Sequence, residues 1–148
     1  MVLQQQITTC FYVDDDSDDR LFFQEAIDAI GENVRLFELG DDMIYMLKNP
    51  PPKPAIVFLD LNMPVKNGFE VLEEIRATKE FQDIPIVVYS TASTPDIMRK
   101  CLALGANFYV TKATSISELK KAIEHVLAIN WQYFTPTINN FVYKPVRA

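Results

Sequence analysis

The sequence lacks the features that mark several whole classes of protein. Only two cysteines occur in 148 residues, Cys10 in the first apolar run and Cys101 in a later helical pattern. They give no disulfide framework and read as buried, reduced thiols, which fits a cytoplasmic location. No apolar run reaches the roughly 18 residues of a membrane span, and no basic stretch leads into a long apolar one at the start, so we expect a soluble, unprocessed protein with no membrane partner. Positive charge is also scarce. With 14 Lys and Arg against 20 Asp and Glu, the net charge is −6, and no dense basic stripe forms, which argues against a direct nucleic-acid partner. The single histidine, His125, lies in a helical pattern and reads as a solvated position.

What is present is apolar and regularly punctuated. A chain of this length that is 49% hydrophobic can bury one core, with little left for a second. Thr8 to Val13 reads as a strand and Ser17 to Ile30 as a helix, with Ser17 as N-cap, Asp18 and Asp19 in its positive first turn, and Gly31 at its end. Val34 to Glu38 is a second strand candidate, Asp41 to Lys48 a short helix, and the NPPPKP segment its terminator. The run Ala55 to Leu59 reads as a strand buried on both faces. Gly68 punctuates a loop before a helix from Phe69 to about Thr78. Ile86 to Ser90 and Asn107 to Thr111 are further strands, separated by a helix from Thr94 to Leu104 that Gly105 closes. The last helix runs from Ser115 to Ile129, with Ser115 and Glu118 in capping-box spacing.

Five strands alternating with five helices predict an α/β fold: a doubly wound, five-stranded parallel sheet with right-handed crossovers, flavodoxin-like, in strand order 2-1-3-4-5. All strand carboxyl ends then share one edge. That edge collects Asp14 and Asp15 from the first strand, Asp60 from the third, Ser90 from the fourth and Lys112 from the fifth. Singly, an aspartate after a strand is most often a turn former or a cap; four strand ends that agree are not explained that way. Carboxylates at about 4 Å repel by roughly 4 kcal/mol at an effective dielectric of 20, so something positive belongs among them. An all-oxygen donor set suits Mg²⁺. Lys112 adds an ammonium and Ser90 a hydroxyl, and an aspartate among such groups is placed to attack phosphorus.

These residues carry a resemblance. VDD at Val13 to Asp15, DLNMP at Asp60 to Pro64, Gly68, the hydroxyl residue in VVYSTAS and the lysine in FYVTKA resemble the receiver domains of two-component response regulators, chemotaxis-type and stand-alone. Ser90 lies 30 positions after Asp60 and Lys112 lies 22 after Ser90, as in that family. The resemblance covers roughly residues 7 to 129 and leaves 130–148 as a C-terminal extension. It implies that Asp60 accepts a phosphoryl group from a sensor histidine kinase or a phosphotransfer histidine. Asp15 would bind Mg²⁺ directly, Asp14 largely through water, and the backbone carbonyl of Asn62 would complete the ligands beside Asp60. Asp16 would lie outside the site. Ser90, in preference to Thr91, would follow the phosphoryl oxygen and Lys112 would pair with it. Tyr109 falls at an aromatic switch position, where its ring would turn inward into the space that Ser90 leaves, or else it is an ordinary strand aromatic packed on a helix. The side chains at Asn62 and Ala92 would bear on dephosphorylation. The resemblance also implies a bacterial signalling protein whose only chemistry is on itself.

One departure stands out. Receivers usually carry proline after the lysine, joined by a cis bond; here Ala113 follows Lys112. A cis bond before a non-proline residue costs about 2.5–4 kcal/mol, so either the loop is trans and shifted or strain is retained. A binding module of receiver fold that works without phosphorylation is therefore the second reading. An aspartate-dependent phosphatase is a third, disfavoured because Asn62 stands where such enzymes place a general acid. The extension carries Trp131, Tyr133, Phe134, Phe141 and Tyr143, which either pack back on the domain or form a contact surface for a partner or a second copy, a possible homodimer.

Overall fold

The computed structural model describes residues 9–48 and 55–145. Thr8 and the NPPPKP segment lie outside them. Strands β1 (Thr9–Val13), β2 (Asn33–Phe37), β3 (Ala55–Leu59), β4 (Ile86–Ser90) and β5 (Phe108–Thr111) alternate with helices α1 (Ser17–Ile30), α2 (Gly40–Lys48), α3 (Gly68–Ala77), α4 (Pro95–Ala103) and α5 (Ile116–Ala128). A 3-10 turn at Lys79–Phe81, not foreseen from the sequence, follows α3. The sheet is fully parallel in the order β2-β1-β3-β4-β5, with Val13 level with Leu59, and Ser90 level with Thr111.

Every residue of β1, β3 and β4 is buried, as parallel strands covered on both faces require. Alternation then divides them between two cores. Phe11, Val13, Val57, Leu59, Val88 and Tyr109 pack with Met43 of α2, Leu72 and Ile75 of α3 and Cys101 of α4. Cys10, Tyr12, Ile56, Phe58, Val87 and Tyr89 pack on the other face with Phe23 and Ile27 of α1 and Ile123 and Val126 of α5. Each large apolar side chain buried this way contributes about 1.5–3 kcal/mol. Both cysteines are free; burial pushes the Cys10 thiol up to about 12 and the Cys101 thiol up to about 11.

Two caps differ from expectation. Asp16, not Ser17, is the N-cap of α1: its carboxylate accepts from the backbone N–H groups of Asp18 at 2.8 Å and Asp19 at 3.1 Å, and Ser17 is drawn into the first turn. At α5 Ser115 accepts from the Glu118 N–H, which is one half of a capping box. The reciprocal box stands at α3, where Asn67 and Glu70 each accept from the other's backbone N–H at 3.0 Å.

At the edge where the strands begin, one guanidinium ties four segments together. Arg76 of α3 donates to the carbonyls of Gly105 (2.8 Å), Phe81 (3.0 Å), Gln82 (3.3 Å) and Ile84 (2.8 Å) and to Asn107 Oδ1 (2.6 Å). Asn107 Oδ1 in turn accepts from the first N–H of β4. Replacing Arg76 by Met keeps the stem but leaves these acceptors without a charged donor. We expect a loss of about 3 kcal/mol and a fall of roughly 10 °C in the thermal midpoint, read by calorimetry. An unchanged midpoint would show that water replaces the guanidinium.

Candidate functional site

The site forms where the strands end. Asp14 follows β1 and its N–H donates to Phe37 of β2; the Asp60 N–H donates to Val13 of β1. These main-chain bonds fix the two carboxylates side by side. Gly68, at the start of α3, has a second part in this. A Cβ there would lie 2.3 Å from the Asp60 carbonyl oxygen and 2.7 Å from Leu61 Cα, so only glycine lets α3 begin against the loop that carries Asp60. The same loop holds Val65, a fully solvated β-branched residue at φ 67°, where strain of about 1–3 kcal/mol is stored. Lys66 beside it pins the loop by donating to Asp41 and Glu74.

Asp14, Asp15 and Asp60 come together: one carboxylate oxygen from each lies within 4.8 Å of the others. Asp14 and Asp60 are 1% and 3% exposed, and Asp15 is the more open of the three. Burial, then the charge of Asp14, pushes the Asp60 carboxyl up from 3.8 to about 6, with Lys112 pulling it back and Asp15 adding to the rise. Asp16 stands outside the cluster as the cap of α1. Asn62 is exposed two residues beyond Asp60.

Lys112, at the end of β5, reaches across the sheet edge. Its ammonium donates to Asp14 Oδ2 at 2.7 Å and Asp19 Oδ2 at 2.7 Å, and lies 3.3 Å from Asp60 Oδ1. Burial alone would lower its affinity for the proton, but these carboxylates raise it above the ordinary lysine range. Ala113 does not draw the ammonium out of the cluster. Its N–H donates to the Tyr89 hydroxyl at 3.3 Å, a bond that proline could not make.

Ser90 is buried at the end of β4, its Oγ accepting from the Ala92 N–H at 3.2 Å, whereas Thr91 is exposed. Tyr109 is fully buried, and its hydroxyl donates to the Ala92 carbonyl at 2.7 Å. Burial pushes this phenol up to about 12, against the pull of the Ser90 hydroxyl. The ring already points inward, beside the loop that follows Ser90. His125 is exposed, as expected of a solvated helix position, yet its ring stacks on Phe108 at 5.7 Å and meets Tyr143 at 5.1 Å.

Two residues of the cluster were not foreseen in these roles. Asp19 serves the positive end of α1, as expected, and also shares Lys112 with Asp14. Tyr12 donates to Asp14 Oδ2 at 2.5 Å, and burial with the Asp14 charge pushes its phenol far above the ordinary range. The signal for Tyr12 was a phenol inside an otherwise apolar strand, whose hydroxyl must find an acceptor when buried.

The family model described as "Response regulator receiver domain" matches residues 10–124. The chain belongs to this family. The receiver is 32% identical over 117 residues to a chemotaxis protein CheY homolog of Campylobacter jejuni, covering 78% of this chain and 88% of that one. It is 36% identical over 75 residues to the response regulator Rcp1 of Synechocystis sp., a match to 51% of each chain. The first curated relatives are thus matched over about half their length. Among solved structures, it superposes on the phosphorylated cyanobacterial phytochrome response regulator RcpA with a TM-score of 0.71 at 28% identity, covering 86% of this chain and 96% of that one. The Mn²⁺-bound form of response regulator Rcp1 gives 0.70 at 26% identity, with coverage of 87% and 99%. Among the described residues, no helix is long and apolar enough to cross a membrane.

Proposed function

We propose that this receiver is a cytoplasmic phosphoacceptor switch: Asp60 takes a phosphoryl group from a sensor histidine kinase or a phosphotransfer histidine, and the protein then changes the surface it offers to a downstream partner. Residues 7–129 form the switch and 130–148 its extension. The observation that carries this reading is the convergence of Asp14, Asp15, Asp60 and Lys112, from three strand ends, on one charge cluster.

The donor set fits Mg²⁺. Oxygens bound to an octahedral ion at about 2.1 Å lie up to about 4.2 Å apart, and the three carboxylate oxygens already lie within 4.8 Å. Asp15 and Asp60 would hold the ion directly, Asp14 largely through water, and the Asn62 carbonyl would complete the protein ligands. When bound, Mg²⁺ supplies charge neutralisation for the carboxylates and the phosphoryl oxygens.

In the transfer, a carboxylate oxygen of Asp60 forms the new bond to phosphorus. The bond from phosphorus to the donor's histidine nitrogen breaks, and its electron pair leaves on the imidazole, which takes up a proton. Without metal Asp60 ionises near pH 6, and Mg²⁺ would extend the ionised, nucleophilic form to lower pH. The product carries close to two negative charges. Lys112 holds its ammonium 3.3 Å from Asp60, and the Ser90 hydroxyl can donate to a phosphoryl oxygen. Ser90 and Tyr109 then carry the change outward.

Acetyl phosphate with Mg²⁺ tests this by intact mass. The wild type should gain one base-labile phosphoryl group, a chelator should suppress the gain, and Asp60→Asn should gain none. Label retained by that variant, or none on the wild type from a competent donor, would overturn the reading.

A further inference from the structure

The C-terminal extension is seated on the sheet in a way that touches the switch residue and almost nothing else of the site. β5 is an edge strand, and its outer side offers backbone groups that need partners. The extension supplies them at one residue. The Tyr109 N–H donates to the Phe141 carbonyl at 2.9 Å, and the Tyr143 N–H donates to the Tyr109 carbonyl at 2.8 Å, a parallel bridge centred on Val142.

Side chains on either side of that bridge reach opposite layers. Phe141 is fully buried in the core that contains Tyr109, with the two rings 6.2 Å apart. Tyr143 packs on the other face with Trp131 and Phe134, around Phe108 and His125. The extension therefore wraps the β5 edge and grips Tyr109 by both of its backbone groups and by its ring. For the ring to turn outward, Tyr109 must give up both its hydroxyl bond to Ala92 and its contact with Phe141.

We propose that the extension is an intramolecular latch that holds Tyr109 inward. It biases the receiver towards the arrangement that the phosphoryl group at Asp60 also favours, so latch and phosphoryl group support one another. This rests on the switch reading above. By linkage, loosening the latch weakens whatever binds Asp60 by the same factor that the occupant of Asp60 tightens the latch.

The test compares Tyr143→Ala, which keeps the N–H that bonds to Tyr109, with Tyr143→Pro, which removes it. Phe141→Leu loosens the ring contact while keeping the position apolar, and gives a second route if Tyr143→Pro folds poorly. Each full-length variant is labelled with fluorotyrosine. The Tyr109 signal, assigned with Tyr109→Phe, is followed by fluorine NMR, and beryllofluoride affinity with Mg²⁺ is measured by calorimetry. Tyr143→Ala, which loses the ring but keeps the N–H, should move both readouts less than Tyr143→Pro, which loses both. Tyr143→Pro and Phe141→Leu should move the Tyr109 signal towards that of a solvated ring and weaken beryllofluoride by about fivefold or more, the low end of coupling between sites. Melting points that fall while signal and affinity stay fixed would reduce the extension to packing and overturn the latch. A wild type that fails to bind beryllofluoride would overturn the phosphoacceptor reading instead, and the fluorine signal without the mimic would still decide whether the extension sets the ring.

Discussion

Asp60→Asn is expected to melt at a higher temperature than the wild type at pH 7 without metal, although it loses the proposed phosphoacceptor. The Asp60 carboxyl is pushed up from 3.8 to about 6, first by burial and then by Asp14. Above pH 6 it is ionised in both states, and the native state carries an unfavourable charge. Below about 3.8 it is protonated in both and contributes nothing. Between these values the native state binds the extra proton, so stability from this group falls as pH rises from about 4 to about 6 and stays low above. A shift of this size corresponds to about 3 kcal/mol. The neutral amide should recover about 2 kcal/mol of that, or roughly 5 °C in the thermal midpoint. The gain should vanish near pH 4 and narrow when Mg²⁺ is added, because the ion favours the ionised wild type. Thermal melts from pH 4 to pH 8 check it; a variant less stable than the wild type at pH 7 would mean that Lys112 more than repays the burial of Asp60.

The second large effect belongs to Lys112→Met. This ammonium contacts Asp14 and Asp19 and lies 3.3 Å from Asp60, and Asp14 and Asp60 are buried. Without it, buried carboxylates face one another with no counter-charge, a change that costs about 3–5 kcal/mol when a buried pair is broken. Asp60 can escape part of the cost by taking up a proton, so the loss should be greatest above pH 6 and shrink below it. Denaturant unfolding at pH 5 and pH 8 reads this difference. The labelling rate should fall by about 100-fold, as when one charged donor to a transition state is removed. Equal losses at both pH values, or undiminished labelling, would show that Lys112 is a surface ion pair and no more.

The fold was legible because β1, β3 and β4 are short, nearly continuous apolar runs alternating with helical patterns, as doubly covered parallel strands are. Parallel strands with their carboxyl ends on one edge put Asp14, Asp15, Asp60 and Lys112 together by topology alone. Other parts needed three dimensions. Asp19 looked like a residue serving the positive end of α1, and nothing in the linear order shows that Lys112, 93 positions on, lies 2.7 Å away. The capping box at Asn67 and Glu70 was in plain view but hidden by reading Gly68 as loop, whereas close packing on Asp60 is what glycine serves there. The aromatic extension was visible as composition. Its pairing with Tyr109 was not, because a single bridged residue leaves no periodic pattern to read. The position of the Tyr109 ring also needed three dimensions: it is buried, with its hydroxyl on Ala92.

Reductive trapping of the protein after reaction with a phosphodonor would locate the phosphoryl group directly. Borohydride converts an aspartyl phosphate to homoserine, and peptide mass spectrometry then reads the position of the changed residue. After reaction with acetyl phosphate and Mg²⁺, homoserine is expected at position 60 and nowhere else. Homoserine at Asp14 or Asp15, or a borohydride-resistant phosphoester at Ser90, would contradict it.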